Sequence, residues 1–170
     1  MKNLYSFVDK KLANPTAFNL TLLNKILSFA IPFNAPHKFK IIDLGPDAIR
    51  ISLPNKRINH NHLQGVHACA MATVGEYCAG MALLKTFGIS KYRLILSNLN
   101  VQYLFQGRTD LIGECQIEQI NKENVRLELE EKDKTIIKLK TMIRDKNVKE
   151  VAVIETSWQL KKWSKVKTKS

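Results

Sequence analysis

Cysteine is scarce in this chain: Cys69, Cys78 and Cys115 form an odd set of three, and no two stand in CxxC spacing. That argues against a disulfide framework or a paired-cysteine metal or redox motif, and fits reduced, buried thiols in a cytoplasmic protein. Acid is in short supply as well. Against 27 Lys and Arg stand 15 Asp and Glu, leaving a net charge of +12, a surface that favours anionic partners such as phosphorylated cofactors, acidic lipid or nucleic acid. The stretch from Thr156 to Ser170 holds no acid at all while carrying Lys161, Lys162, Lys165, Lys167 and Lys169. No RNA- or DNA-binding motif accompanies these lysines. The basic tail therefore reads as a solvated terminus, and neither nucleic acid nor a membrane surface gains further support as its partner. Missing, too, is an apolar run behind the first residues, where Lys2, Asp9, Lys10 and Lys11 leave no room for the h-region of a signal peptide. The expected location is the cytoplasm.

What the chain does have is enough apolar residue for one core. With 170 residues, 45% of them hydrophobic, the expectation is a single main domain at 36–160, a helical extension at 1–35 and the basic tail at 161–170. Asn14-Pro15 predicts a helix start, with Asn as N-cap, and Phe18, Leu22, Leu23, Ile26 and Phe29 follow at helical spacing as a face that packs against the main domain. Lys38 to Pro54 predicts a β-hairpin turning at Gly45-Pro46-Asp47. The segment from His67 to Thr86 predicts a helix apolar nearly all round, with Met71 and Met81 in the core. Its seventeen residues from Ala68 to Leu84 include Gly75, Glu76 and Gly80, which makes them a poor membrane span. After Gly88 the pattern changes to period two, with strands predicted at 92–105, 110–120, 124–131, 135–144 and 150–163, separated by short polar turns as in an antiparallel meander. The fold class that follows is α+β, a curved antiparallel sheet of about six strands wrapped around a central apolar helix.

One stretch concentrates the candidate chemistry. Asn59-His60-Asn61-His62-Leu63-Gln64-Gly65-Val66-His67 runs directly into the apolar helix, whose single formal charge between Ala68 and Leu84 is Glu76. His60, His62 and His67 suggest zinc at first sight, yet one loop without a carboxylate or CxxC lacks the rigid geometry of a metal site, and no metal is expected. If the helix starts near His67, nine residues at about 100° each place Glu76 half a turn away and roughly 13 Å along the axis. The two cannot share one pocket within one chain. If both serve one reaction, the second must come from another copy, so a two-fold homodimer is expected, with a tetramer left open.

The element order and the spacing Asn61-x5-His67-x8-Glu76 resemble the hotdog fold. Within it they are similar to the phenylacetyl-CoA thioesterase-like branch, and closest to a little-characterised group with His-Ala in place of His-Gly-Gly. The segment Val101 to Arg108 followed by Ile112-Gly113-Glu114-Cys115 is similar to the strand-turn-strand after the helix in those enzymes. The resemblance covers roughly residues 36–160. It implies a thioester hydrolase of lipid metabolism acting on a fatty- or aryl-acyl-CoA, with no cofactor beyond the coenzyme A of the substrate. In that scheme the Asn61 amide and the backbone N–H of Ala68 would polarise the carbonyl. His67 would orient the loop or the thioester, Glu76 would be base or nucleophile, and His62, Gly65 and Thr73 would contact substrate. Lys85, Lys91 and Arg108 are candidates for the phosphates. Ser97 is not a candidate nucleophile or helper, because counting back from Tyr103 places Leu96 at the relevant position.

The chain departs from that pattern at Ala68-Cys69, where the family's Gly-Gly is replaced and Cβ atoms narrow the approach to the backbone. Two alternatives therefore stand beside the hydrolase. His62 and Glu76, fourteen apart, resemble the pair of hotdog hydroxyacyl dehydratases and hydratases, although the Pro-Gly-rich turn of those enzymes is missing. A non-catalytic acyl-CoA-binding protein is the other.

Overall fold

The computed structural model describes residues 2–166; Lys167 and Lys169 of the basic tail lie outside them. Ten main elements follow one another: α1 (Lys2–Ala13), α2 (Ala17–Ala30), β1 (Lys40–Leu44), β2 (Ala48–Leu53), α3 (Ala68–Phe87), β3 (Tyr92–Tyr103), β4 (Leu111–Gln116), α4 (Lys122–Lys132), β5 (Lys134–Asp145) and β6 (Glu150–Lys162). The six strands make one antiparallel sheet in the order β1-β2-β4-β5-β6-β3. Along β5, Thr135, Ile137, Leu139, Thr141 and Ile143 are buried in strict alternation, the period-two signature of a sheet with one covered face. The cover is α3, which packs against β2, β4, β5, β6 and β3. This is the hotdog arrangement of a sheet curled around a central helix.

Small residues let α3 approach the sheet closely. A methyl group on Gly75 would stand 2.5 Å from Cγ1 of Ile154, and one on Gly80 would stand 3.2 Å from the Trp158 ring. The helix ends at Gly88, whose φ of 83° is open to glycine at little cost. The turn after it is tied down by α1, where Asp9 accepts the backbone N–H groups of Ile89 at 2.8 Å and Ser90 at 3.1 Å. Val8 and Leu12 bury the same helix against the body of the protein.

The structure departs from the expected elements at several points. Residues 124–131 are not a strand but most of α4. Val125 and Leu129, which fit an alternating pattern, are also four apart and both buried, whereas Leu127 between them is 55% exposed. Asn121 caps the helix by accepting the N–H of Asn124 at 3.0 Å. The sheet is also not a meander, because β3 pairs with β6 at the far edge rather than with β4. Gln106-Gly107-Arg108 thus lies in a connection that crosses the sheet end. In α2 the N-cap is Thr16, whose Oγ1 accepts the N–H of Asn19 at 3.2 Å, instead of Asn14. The face of α2 that packs is Asn19, Leu23 and Leu27; Phe18 and Phe29 point outward, 74% and 90% exposed. Lys161 and Lys162 belong to β6, and Lys165 pairs with Asp133 at 3.3 Å. Of the three thiols, Cys78 and Cys115 are buried but Cys69 is exposed.

Candidate functional site

Helical spacing puts Cys69, Thr73, Glu76 and Gly80 on one stripe of α3, and all four line a cavity of about 650 Å³. Across from them stand Leu94, Leu99 and Tyr103 of β3, and Trp158 of β6 and the segment Ile31, Phe33 and Asn34 are among the other walls. The enclosure is overwhelmingly apolar. Glu76 is its one carboxylate, half-buried; Arg93 also lines the cavity, but among the described residues no hydrogen bond or ion pair joins it or any other group to that carboxylate. Burial therefore pushes the Glu76 carboxyl above the ordinary value of 4.5, because water is withdrawn from the charged form and nothing replaces it. A carboxylate whose pKa is raised is a stronger base than an ordinary one, and so is better suited to take a proton.

The loop before α3 is held in place by its own polar groups. Asn59 accepts the N–H of His67 on its carbonyl at 2.7 Å, and Gly107 accepts that of Val66 at 2.8 Å. Gly65 is buried against Gln106, whose Nε2 would be 2.7 Å from a Cβ at that position. The Asn61 Oδ1 accepts the N–H groups of Leu63 at 2.9 Å and Gly65 at 3.1 Å. That leaves the amide NH2 of Asn61 without an acceptor among the described residues. His67 is the N-cap of α3, and its Nδ1 accepts the N–H of Cys69 at 3.1 Å, so a neutral ring carries its proton on Nε2. Tyr103 donates its hydroxyl to the carbonyl of Ala68 at 2.9 Å. The Ala68 N–H has no acceptor among the described residues and sits at the positive end of α3.

Glu76 and Thr73 thus meet in the cavity, while Asn61, His62, Gly65, His67 and Ala68 are not among its walls. His60 contacts Asn55 at 2.6 Å, and no cluster of His, Cys, Asp or Glu among the described residues could hold a metal ion. Lys85 is spent on the carbonyls of Leu44 and Gly45, and Arg108 donates to Gln106 at 3.0 Å. Ser97 is the extra residue of a bulge in β3 and donates to the carbonyl of Ser157 at 2.9 Å. Sequence reasoning missed Cys69, Tyr103 and Trp158 as cavity walls. Cys69 was open to discovery from the 69, 73, 76, 80 stripe. Trp158 was not, since it reaches the cavity only because β6 pairs with β3, Trp158 opposite Leu96.

The family profile described as "Domain of unknown function (DUF4442)" matches residues 20–160. The chain belongs to this DUF4442 family. Among solved structures, this member is similar to a Pseudomonas aeruginosa protein of unknown function described as a "probable thioesterase", with a TM-score of 0.74 and 23% identity over 84% of this chain and 95% of that one. A thioesterase of Haemophilus influenzae is similar at a TM-score of 0.69 and 14% identity, covering 86% and 93%. A Chlorobaculum tepidum protein of unknown function follows at 0.71 and 14%, covering 93% and 96%. At such identities the likeness establishes the shared fold. Comparison with curated protein sequences gives no match.

Proposed function

We propose that this DUF4442 protein hydrolyses an acyl-CoA thioester, with Glu76 as general base. The observation that carries the reading is the Glu76 carboxylate, half-buried and unpartnered in an apolar cavity large enough for an acyl group. In the proposed reaction Glu76 takes a proton from water as the oxygen attacks the thioester carbon. The tetrahedral oxyanion is held by two N–H donors, and its collapse breaks the C–S bond. The departing thiolate recovers the proton from Glu76, leaving a carboxylic acid and free coenzyme A.

The donors in this scheme are the Asn61 amide and the Ala68 N–H of a second copy. Strand β3 is a sheet edge, and Ile95, Leu99 and Tyr103 along it are 46%, 41% and 45% exposed. Apolar side chains on an uncovered edge favour pairing with another strand. Two β3 edges joined about a two-fold axis would close the open side of each cavity with the other copy's chain. His67 holds the loop through its cap, and Thr73 borders the acyl group.

The test is a panel of acyl-CoA chain lengths with free thiol followed spectroscopically. Purified protein should release thiol, and Glu76→Ala should abolish it. Acyl-CoA binding without release would replace the hydrolase by a binding protein. Wild-type rates in Glu76→Ala would remove Glu76 from the mechanism.

A further inference from the structure

A second cavity, about 510 Å³, lies between α2 and the segment ahead of β1. Its walls include Lys25, Lys38 and Lys40 and no carboxylate, and among the described residues none of the three lysines takes part in an ion pair. They are brought together by Asn24, whose Oδ1 accepts the N–H of Ile41 at 2.8 Å while its Nδ2 donates to the carbonyl of Ile41 at 2.9 Å. This two-way clasp sets Lys25 of α2 beside Lys40 of β1. Lys38 stands at φ 58°, a left-handed conformation that a lysine adopts only when its surroundings impose it. Three ammonium groups without an ion pair among the described residues, around a concavity whose walls hold no carboxylate, hold a positive field there.

The basic cavity adjoins the candidate site. Asn34 and Tyr77 wall both cavities, 9% and 8% exposed, and Tyr77 is the residue next to Glu76. Neither the Asn34 amide nor the Tyr77 hydroxyl makes a hydrogen bond among the described residues. Neither is among the polar atoms sealed from solvent, so both open into the cavities. An apolar chamber with an acid, a waist of unpartnered polar groups and a basic chamber match the order of parts in an acyl chain, a polar thioester arm and a phosphate.

We propose that Lys25, Lys38 and Lys40 form a phosphate subsite that holds the pantetheine-linked phosphates of the thioester's carrier. Asn34 and Tyr77 hydrogen-bond the amide-bearing arm that runs between the two chambers. The proposal rests on the thioesterase reading for the identity of the carrier, and its test does not require turnover. Calorimetry would compare coenzyme A, 4′-phosphopantetheine and unphosphorylated pantetheine on the wild type and on the combined Lys25→Gln, Lys38→Gln, Lys40→Gln variant. All three positions are exposed, and an unchanged Tm would verify the fold.

Coenzyme A affinity should fall by about tenfold or more in the variant, the scale of one lost charge-assisted hydrogen bond, with pantetheine unaffected. An equal loss on 4′-phosphopantetheine would place the 4′-phosphate at the lysines; a loss confined to coenzyme A would place the adenosine phosphates there. Kinetics would add a second readout: KM for acyl-CoA should rise while hydrolysis of the acyl thioester of N-acetylcysteamine, which lacks phosphate, is unchanged. Coenzyme A binding that is undetectable in the wild type, or equally strong in the variant, would overturn the subsite. Coenzyme A held through the lysines by a protein that releases no thiol from any acyl-CoA would overturn the hydrolase and leave the subsite standing.

Discussion

Glu76, the one carboxylate of the cavity, also costs the fold stability. Its folded-state pKa is raised above 4.5 by burial, whereas in the unfolded chain it titrates at its ordinary value. Between the two values the native state binds more protons than the unfolded state, so stability falls as pH rises through that window. Glu76→Gln, which cannot ionise, should therefore melt above the wild type at pH 7.5, and calorimetry should show the gap closing as pH falls to 4.5. A gap independent of pH would mean that burial of the charge is not its cause. The same group should give kcat/KM a rising acid limb with its midpoint above 4.5. A neighbour on the stripe, Cys69, offers a separate reading of the cavity wall. It is exposed while Cys78 and Cys115 are sealed, so an aromatic disulfide reagent should titrate one thiol in the native protein and three in denaturant.

At the scale of elements, the closeness of α3 to β6 can be tested at Gly75. Gly75→Ala gains about 1 kcal/mol of helix propensity but drives a methyl to 2.5 Å from Ile154, which is fully buried and has no room to yield. Overpacking at roughly 1–3 kcal/mol should win, and thermal denaturation should show a lower Tm. At α4, Asn121→Ala should cost about 1 kcal/mol through the lost cap. The sequence allowed the apolar helix, the hairpin and the long strands β3, β5 and β6 to be read because each holds its pattern over many residues, whereas the strand expected at 110–120 is β4 only over Leu111–Gln116 and gives way to a 3-10 turn at Ile117–Gln119. It misled at 124–131, where Val125, Leu127 and Leu129 satisfy alternation on paper while Val125 and Leu129 alone satisfy the helical repeat. The order of strands was also hidden, since no local pattern says that β3, leaving α3, returns to the edge beside β6. In the candidate site, Glu76 was legible as the lone carboxylate of an apolar helix. The Lys25, Lys38 and Lys40 cluster was not, because its members become neighbours only through the Asn24 to Ile41 clasp.

At the scale of the whole molecule, one chain holds the acid and the loop donors apart. Asn61 and Ala68 are absent from the walls around Glu76, and the two and a half turns of helix between His67 and Glu76, about 13 Å of rise ending on the opposite face, keep them so. The proposed dimer resolves this by pairing each Glu76 with the Asn61 of the other copy, which makes a specific complementation experiment possible. Glu76→Ala and Asn61→Ala homodimers each lack one part at both sites, and each should be strongly impaired. A mixed dimer carries both lesions at one site and none at the other. If the two variants are unfolded together and refolded in equal amounts, about half of the dimers are mixed, and each has one intact site. The mixture should then recover about a quarter of wild-type activity. Chains that complete their own sites would recover nothing on mixing, because every site would still lack one of its two groups. Placing Leu99→Asp on β3 should remove the recovered activity along with the dimer, as read by sedimentation, since a carboxylate at the paired edge has no partner there.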